Sequence, residues 1–146
     1  MRFTLTSTFA ALATLTTVIA QSCSEAGRFG LPSVSPSTLS PGQTFTVTTN
    51  LTCAIEKGNT PTYLDYYISA SATHKTSGPI LLARRTWDKS SPPIDTFTTT
   101  LPNWFYFDDA TYTLNLQNSF EREGPTGEKV IIVGGIETPI TITGIN

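Results

Sequence analysis

The chain has 146 residues, a formal charge of −2 and a charged fraction of only 14%, while 27 threonines and 13 serines leave more than a quarter of it hydroxylated. A pI near 5.2 supplies no basic field to displace counterions from nucleic acid, fifteen aromatics argue against an acidic disordered chain, and one histidine with two cysteines cannot furnish a His/Cys-rich metal site. What remains is a single β-rich domain, since Thr, Val, Ile and aromatic side chains suit a pleated, half-buried surface.

Arg2 and the apolar run 9–20, which ends in Val18-Ile19-Ala20, predict a secretory signal peptide over residues 1–20 and a domain over residues 21–146. The run is threonine-broken and shorter than the roughly 20 strongly apolar residues a bilayer span needs. No hydrophobic lipid-anchor tail closes the sequence. The expectation is a secreted, extracellular product with no membrane partner. In an oxidising compartment Cys23 and Cys53 most simply pair, which would pin the start of the domain to its second strand.

Pro, Gly and polar clusters then punctuate the chain at short spacing, and the runs between them have period-2 character. A short extended segment is expected at residues 33–35. The clearest strand is 44–54, with Phe45, Val47, Leu51 and Cys53 on one face and Thr44, Thr46, Thr48, Asn50 and Thr52 on the other. Asn50-Leu51-Thr52 is an N-glycosylation acceptor, and that register puts Asn50 outside. Further strands are predicted at 63–71, 80–87, 95–101, 112–118, 129–133 and 139–143, about eight in all, with Gly134-Gly135 read as a turn. Arg84-Arg85 falls inside a predicted strand, which argues for a structural role over a dibasic processing site. Arg85 shares its face with Leu81, Ala83 and Trp87, so its guanidinium is expected at an edge or on an aromatic ring.

Chemistry has few candidates. His74, the sole imidazole, sits in a polar turn-like stretch, and there is no G-x-S-x-G elbow. Asp108 with Asp109 and Glu121 with Glu123 are the paired carboxylates a glycosidase would need, but adjacent carboxylates on a turn usually solvate it. No catalytic residue, cofactor or metal is expected. The segment Asn103-Trp104-Phe105-Tyr106-Phe107 is different: four consecutive aromatics cannot all face one core. Phe105 and Phe107 are expected to plug the end of the fold, and Trp104 and Tyr106 are the candidate binding residues, suited to sugar rings or a protein interface.

Asp108-Asp109-Ala110-Thr111-Tyr112-Thr113-Leu114 resembles the D-x-A-x-Y segment of immunoglobulin-like domains. The resemblance implies that Tyr112 caps a backbone group at the corner between sheets and that Asp108 is the acidic corner residue. Leu114 stands where the second inter-sheet cysteine of antibody-type domains would be, so any bridge runs elsewhere. More widely, the Pro41-Gly42 turn before a T-x-F-T-V strand, the F-x-x-x-L-P segment at 97–102 and the closing I-T-I-T resemble small fungal secreted effectors of the necrosis-inducing type. That resemblance implies a non-enzymatic protein acting on plant immune receptor-associated kinases. The expectation is therefore an all-β, immunoglobulin-like antiparallel sandwich that binds a host or extracellular protein, with a polysaccharide or cell-wall ligand as the alternative.

Overall fold

The structure, a computed structural model, describes residues 23–71 and 78–145. The expected signal segment 1–20 and His74 lie outside the described residues. Eight strands form two sheets: β1 (Leu31–Ser35), β2 (Thr38–Leu39), β3 (Thr44–Asn50), β4 (Tyr63–Ala70), β5 (Ile80–Thr86), β6 (Ile94–Thr100), β7 (Tyr112–Glu123) and β8 (Lys129–Ile142). One sheet runs β1-β3-β6 and the other β2-β8-β7-β4-β5, an immunoglobulin-like sandwich in which the chain changes sheets between β1 and β2. The change falls at Pro36, preceded by a cis peptide bond.

Period-2 patterning builds the core. Phe45, Val47 and Thr49 of β3 point inward against Leu64, Tyr66 and Ile68 of β4 and Leu114 and Leu116 of β7, all buried. The opposite face of β3 is a hydroxyl ladder against β6: Thr44 meets Thr100 at 3.4 Å, Thr46 meets Thr98 at 3.0 Å, and Thr96 meets Thr48 at 3.4 Å. Cross-strand threonine pairs keep this surface wet without charge, which is where much of the unusual composition goes.

Four expectations are corrected by the structure. Strand β3 stops at Asn50 instead of continuing to Ala54, because the Asn50 side-chain Oδ1 accepts the Thr52 N–H at 2.9 Å. The chain turns there into the one-turn helix α1 (Thr52–Glu56), closed by Gly58 at φ 75°. Cys53 therefore lies on a helix, not a strand. The expected strands 129–133 and 139–143 are one strand, β8, running straight through Gly134 and Gly135. A side chain at Gly134 would meet the Phe29 ring, and one at Gly135 would come within 2.7 Å of the Leu116 carbonyl oxygen. These glycines thus mark close approach, not a turn. On β5 a bulge opposite Tyr66 and Tyr67 breaks the expected face, so Ala83 and Trp87 pack on the core while Leu81 is exposed. Finally, β2 has no counterpart among the expected strands; it pairs parallel with the end of β8.

The corner between β6 and β7 matches the motif. The Phe107 N–H donates to the Tyr112 hydroxyl at 2.6 Å, and that hydroxyl lies 3.4 Å from the Phe107 carbonyl oxygen. Asp108 is exposed on the turn and takes no part in this bond. Replacing Tyr112 by Phe removes the bond between its hydroxyl and the Phe107 N–H, so urea unfolding should show a loss of about 1 kcal/mol with an unchanged slope.

Candidate functional site

The loop from Leu101 to Ala110 is fixed at both ends. The Leu101 N–H donates to the Gln43 carbonyl at 2.9 Å and the Leu101 carbonyl accepts from the Gly42 N–H at 2.8 Å, while the Leu101 side chain is buried. At the far end the Tyr106 hydroxyl donates to the Pro102 carbonyl at 2.8 Å, and its ring stands edge-on to Tyr112 with centroids 5.6 Å apart. Burial, with Tyr112 beside it, pushes the Tyr106 phenol up to about 12.

This closure corrects the expected pattern. An extended chain would alternate Trp104 and Tyr106 outward, but the turn closed by Tyr106 swings its own ring inward, leaving it 7% exposed. Trp104 and Phe105 project instead, at 59% and 80% exposure. Their rings meet edge-to-face at 5.6 Å and 68°. Phe105, expected to plug the sandwich, is the most exposed large apolar side chain among the described residues. Beside it Pro41, Asn103, Gly144 and Ile145 help to line an open depression of about 520 Å³. Apart from the Tyr106 phenol, its lining carries no ionisable side chain.

The other singled-out residues lie elsewhere. Cys23 and Cys53 are disulfide-bonded, with Cα atoms 5.2 Å apart, at the opposite end of the sandwich from the aromatic loop. Asn50 is exposed at the end of β3. Glu121 is ion-paired with Lys129 across the β7–β8 ribbon at 3.0 Å and, with Arg122, Glu123 and Gly127, lines an open depression of about 400 Å³, while Asp108 and Asp109 sit on the surface turn. Among the described residues no group of three or more His, Cys, Asp or Glu is placed to hold a metal ion.

Arg84 and Arg85 are both structural. Arg84 clasps Asp65 through two 2.7 Å bonds, and its guanidinium holds that carboxyl below the usual aspartate range. Arg85 rests over the Phe97 ring at 5.3 Å while its Nε reaches Asp95 at 2.7 Å. The buried Tyr66 hydroxyl lies 2.9 Å from both Asp95 Oδ2 and Thr49 Oγ1. These four side chains tie one sheet to the other. Asn118 escapes a reading by strand pattern: its Nδ2 donates to the Asn59 carbonyl at 3.0 Å and the Phe29 carbonyl at 3.3 Å. A polar residue in the inward series Tyr112, Leu114, Leu116, Asn118, Phe120 is the signal that could have found it.

No family model matches the sequence, and no curated protein does. Among solved structures the chain is similar to a superoxide reductase (neelaredoxin) from Ignicoccus hospitalis, at 14% identity and a TM-score of 0.45, over 77% of this chain and 79% of that one.

Proposed function

We propose that this protein is a secreted, non-enzymatic binding protein, effector-like in its action, that engages a host or extracellular protein through Trp104 and Phe105. The observation that carries the reading is the exposure of both rings on a loop whose base is locked by Tyr106 and Leu101. Exposed aromatics on a pre-ordered support bury large area at little entropic cost, which is the character of interface anchors. The edge-to-face angle of 68° and the burial of Tyr106 leave no coplanar platform for a polysaccharide chain, which favours a protein over a cell-wall ligand. An uncharged tip suits recognition without group transfer. The disulfide and the exposed acceptor Asn50 accord with passage through an oxidising secretory route and a glycan at that site.

The test immobilises the protein and a Trp104→Ala/Phe105→Ala variant against plant extracellular extract, alongside sedimentation with chitin and β-glucan. Both side chains are exposed, so the variant should unfold at the parent temperature. We expect specific protein capture to fall at least tenfold in the variant, with neither form pelleting with polysaccharide. Equal capture by both forms, or polysaccharide binding that depends on Trp104, would contradict the reading.

A further inference from the structure

Strand β8 has an open edge with an unusual sequence. The Thr141 N–H donates to the Ser37 carbonyl at 2.9 Å and the Thr143 N–H to the Leu39 carbonyl at 2.8 Å, so odd-numbered residues direct their backbone groups away from β7 and toward β2. The β7–β8 register is unbroken from Ile140 back to Lys129. Lys129, Ile131, Val133, Gly135 and Glu137 therefore aim their N–H and C=O groups outward along the same edge. Strand β2 covers only Thr141 and Ile142; β1 packs beside β8 near Thr138, whose Oγ1 donates to the Pro32 carbonyl at 3.1 Å, but among the described residues no backbone hydrogen bond reaches the outward groups from Lys129 to Glu137. The β4 pairing ends at Ser119, so the far end of β7–β8 is a two-stranded ribbon, backed on one face by Phe29.

Between Lys129 and Glu137 the edge reads Val-Ile-Ile-Val-Gly-Gly-Ile, with no charge and no proline. Ile131 and Val133 are 60% and 57% exposed, and Val130 and Ile132 are exposed on the other face. The open edge of β5, by contrast, carries Arg84 and Arg85. Natural sheets guard a free edge with charge or proline because a long apolar one templates further pairing. Here the charges stand only at the two ends, and they are opposite in sign.

We propose that this edge pairs antiparallel with the same edge of a second copy, across a two-fold axis through the Val133 pair. That register sets Lys129 opposite Glu137 of the second copy at each end, and every facing pair between them is uncharged. Each of the five facing pairs exchanges two backbone hydrogen bonds, about ten in all. Ile131 lies over Gly135 of the second copy, which has no side chain to oppose it. Ile132 lies opposite Gly134, whose face is covered by the Phe29 ring. The two five-stranded sheets become one continuous sheet, and an isologous contact of this kind closes on itself instead of propagating. Because Gly144 and Ile145 line the aromatic depression, each Trp104 tip stands about 35 Å along β8 from the axis. The dimer presents its two tips at opposite ends, about 70 Å apart.

Sedimentation equilibrium of the mature protein from micromolar to millimolar concentration should show a reversible monomer–dimer equilibrium. Val133→Lys, which sets two like charges together at the axis, should weaken it at least tenfold, with circular dichroism confirming an unchanged fold. Lys129→Glu should weaken it too, and adding Glu137→Lys should restore it, a rescue that only this register supplies. Val133→Cys should give a disulfide-linked dimer on air oxidation, since facing Cα atoms in such a pair lie about 5.5 Å apart. A protein that stays monomeric to millimolar concentration, or a dimer indifferent to Val133→Lys and to the charge exchange, would overturn the proposal.

Discussion

Removing the Cys23–Cys53 bond, by a Cys23→Ala/Cys53→Ala replacement, is expected to lower the unfolding free energy by about 3–4 kcal/mol. The cross-link spans 30 residues, and closing a loop of that length removes roughly this much chain entropy from the unfolded state. What the bond holds in place is otherwise fastened by modest contacts. Glu25 pairs with Lys57 at 2.8 Å on an exposed surface, and the Asn59 side chain donates to the Arg28 carbonyl at 2.7 Å. Phe29 leans on Phe120 with ring centroids 6.1 Å apart. Surface ion pairs of this kind contribute little, so the covalent link is the principal constraint on the segment before β1. With a urea slope of about 1.5–2 kcal/mol per molar, the midpoint should fall by about 2 M. A midpoint displaced by only a few tenths of a molar would show that the segment docks without its bond.

The second large effect is expected at Asp95. Its carboxylate is 9% exposed and takes the Tyr66 hydroxyl from β4 and the Arg85 guanidinium from β5, while itself belonging to β6 in the other sheet. In antibody-type domains a disulfide joins the sheets, and here the position for its second cysteine holds the buried Leu114. The Asp95 cluster supplies a polar inter-sheet tie instead. Asp95→Ala leaves a buried phenol and a partly buried guanidinium short of their acceptor. Losing one member of a buried pair costs about 3–5 kcal/mol, and because the Arg85 side chain is 38% exposed the loss should be nearer 2–3 kcal/mol. Asp95→Asn, which keeps an acceptor for Tyr66, should lose about half as much in thermal or urea unfolding. If Asp95→Ala unfolded like the parent, the two sheets would be held by apolar packing alone.

Much of this architecture is legible in the sequence because its determinants are local. The alternation of Phe45 and Val47 with threonines, the D-x-A-x-Y corner and the cysteine pair each act within a few residues or through a single bond. What escapes depends on partners distant in sequence. Gly134 and Gly135 look like a turn until Phe29 and the Leu116 carbonyl are seen beside them. The end of β3 turns on one Asn50 side-chain bond that competes with strand continuation. The bulge on β5, which sends Leu81 outward, arises from pairing with β4.

In the aromatic segment the sequence foresees that part of the run must be exposed but assigns the wrong faces to Phe105 and Tyr106. Strand alternation assigns Trp104 and Tyr106 to one side, but the Tyr106 hydroxyl bond to Pro102 closes a turn and hands the exposed position to Phe105. Likewise Val130-Ile131-Ile132-Val133 signals exposure only once its pairing is known, since beyond the end of β4 the ribbon buries Phe120 under Phe29 but leaves these four side chains exposed. Composition alone does not separate such a ribbon from a core strand.

The most direct test of binding through the aromatic tip is site-specific photo-crosslinking, with a benzophenone side chain at position 105 and, as a control, at Thr98 on the hydroxyl ladder. After irradiation in plant extracellular extract, we predict discrete protein adducts from position 105 that disappear when Trp104→Ala is added, and none from position 98. Adducts formed equally from both positions, or none from position 105, would contradict binding through the tip.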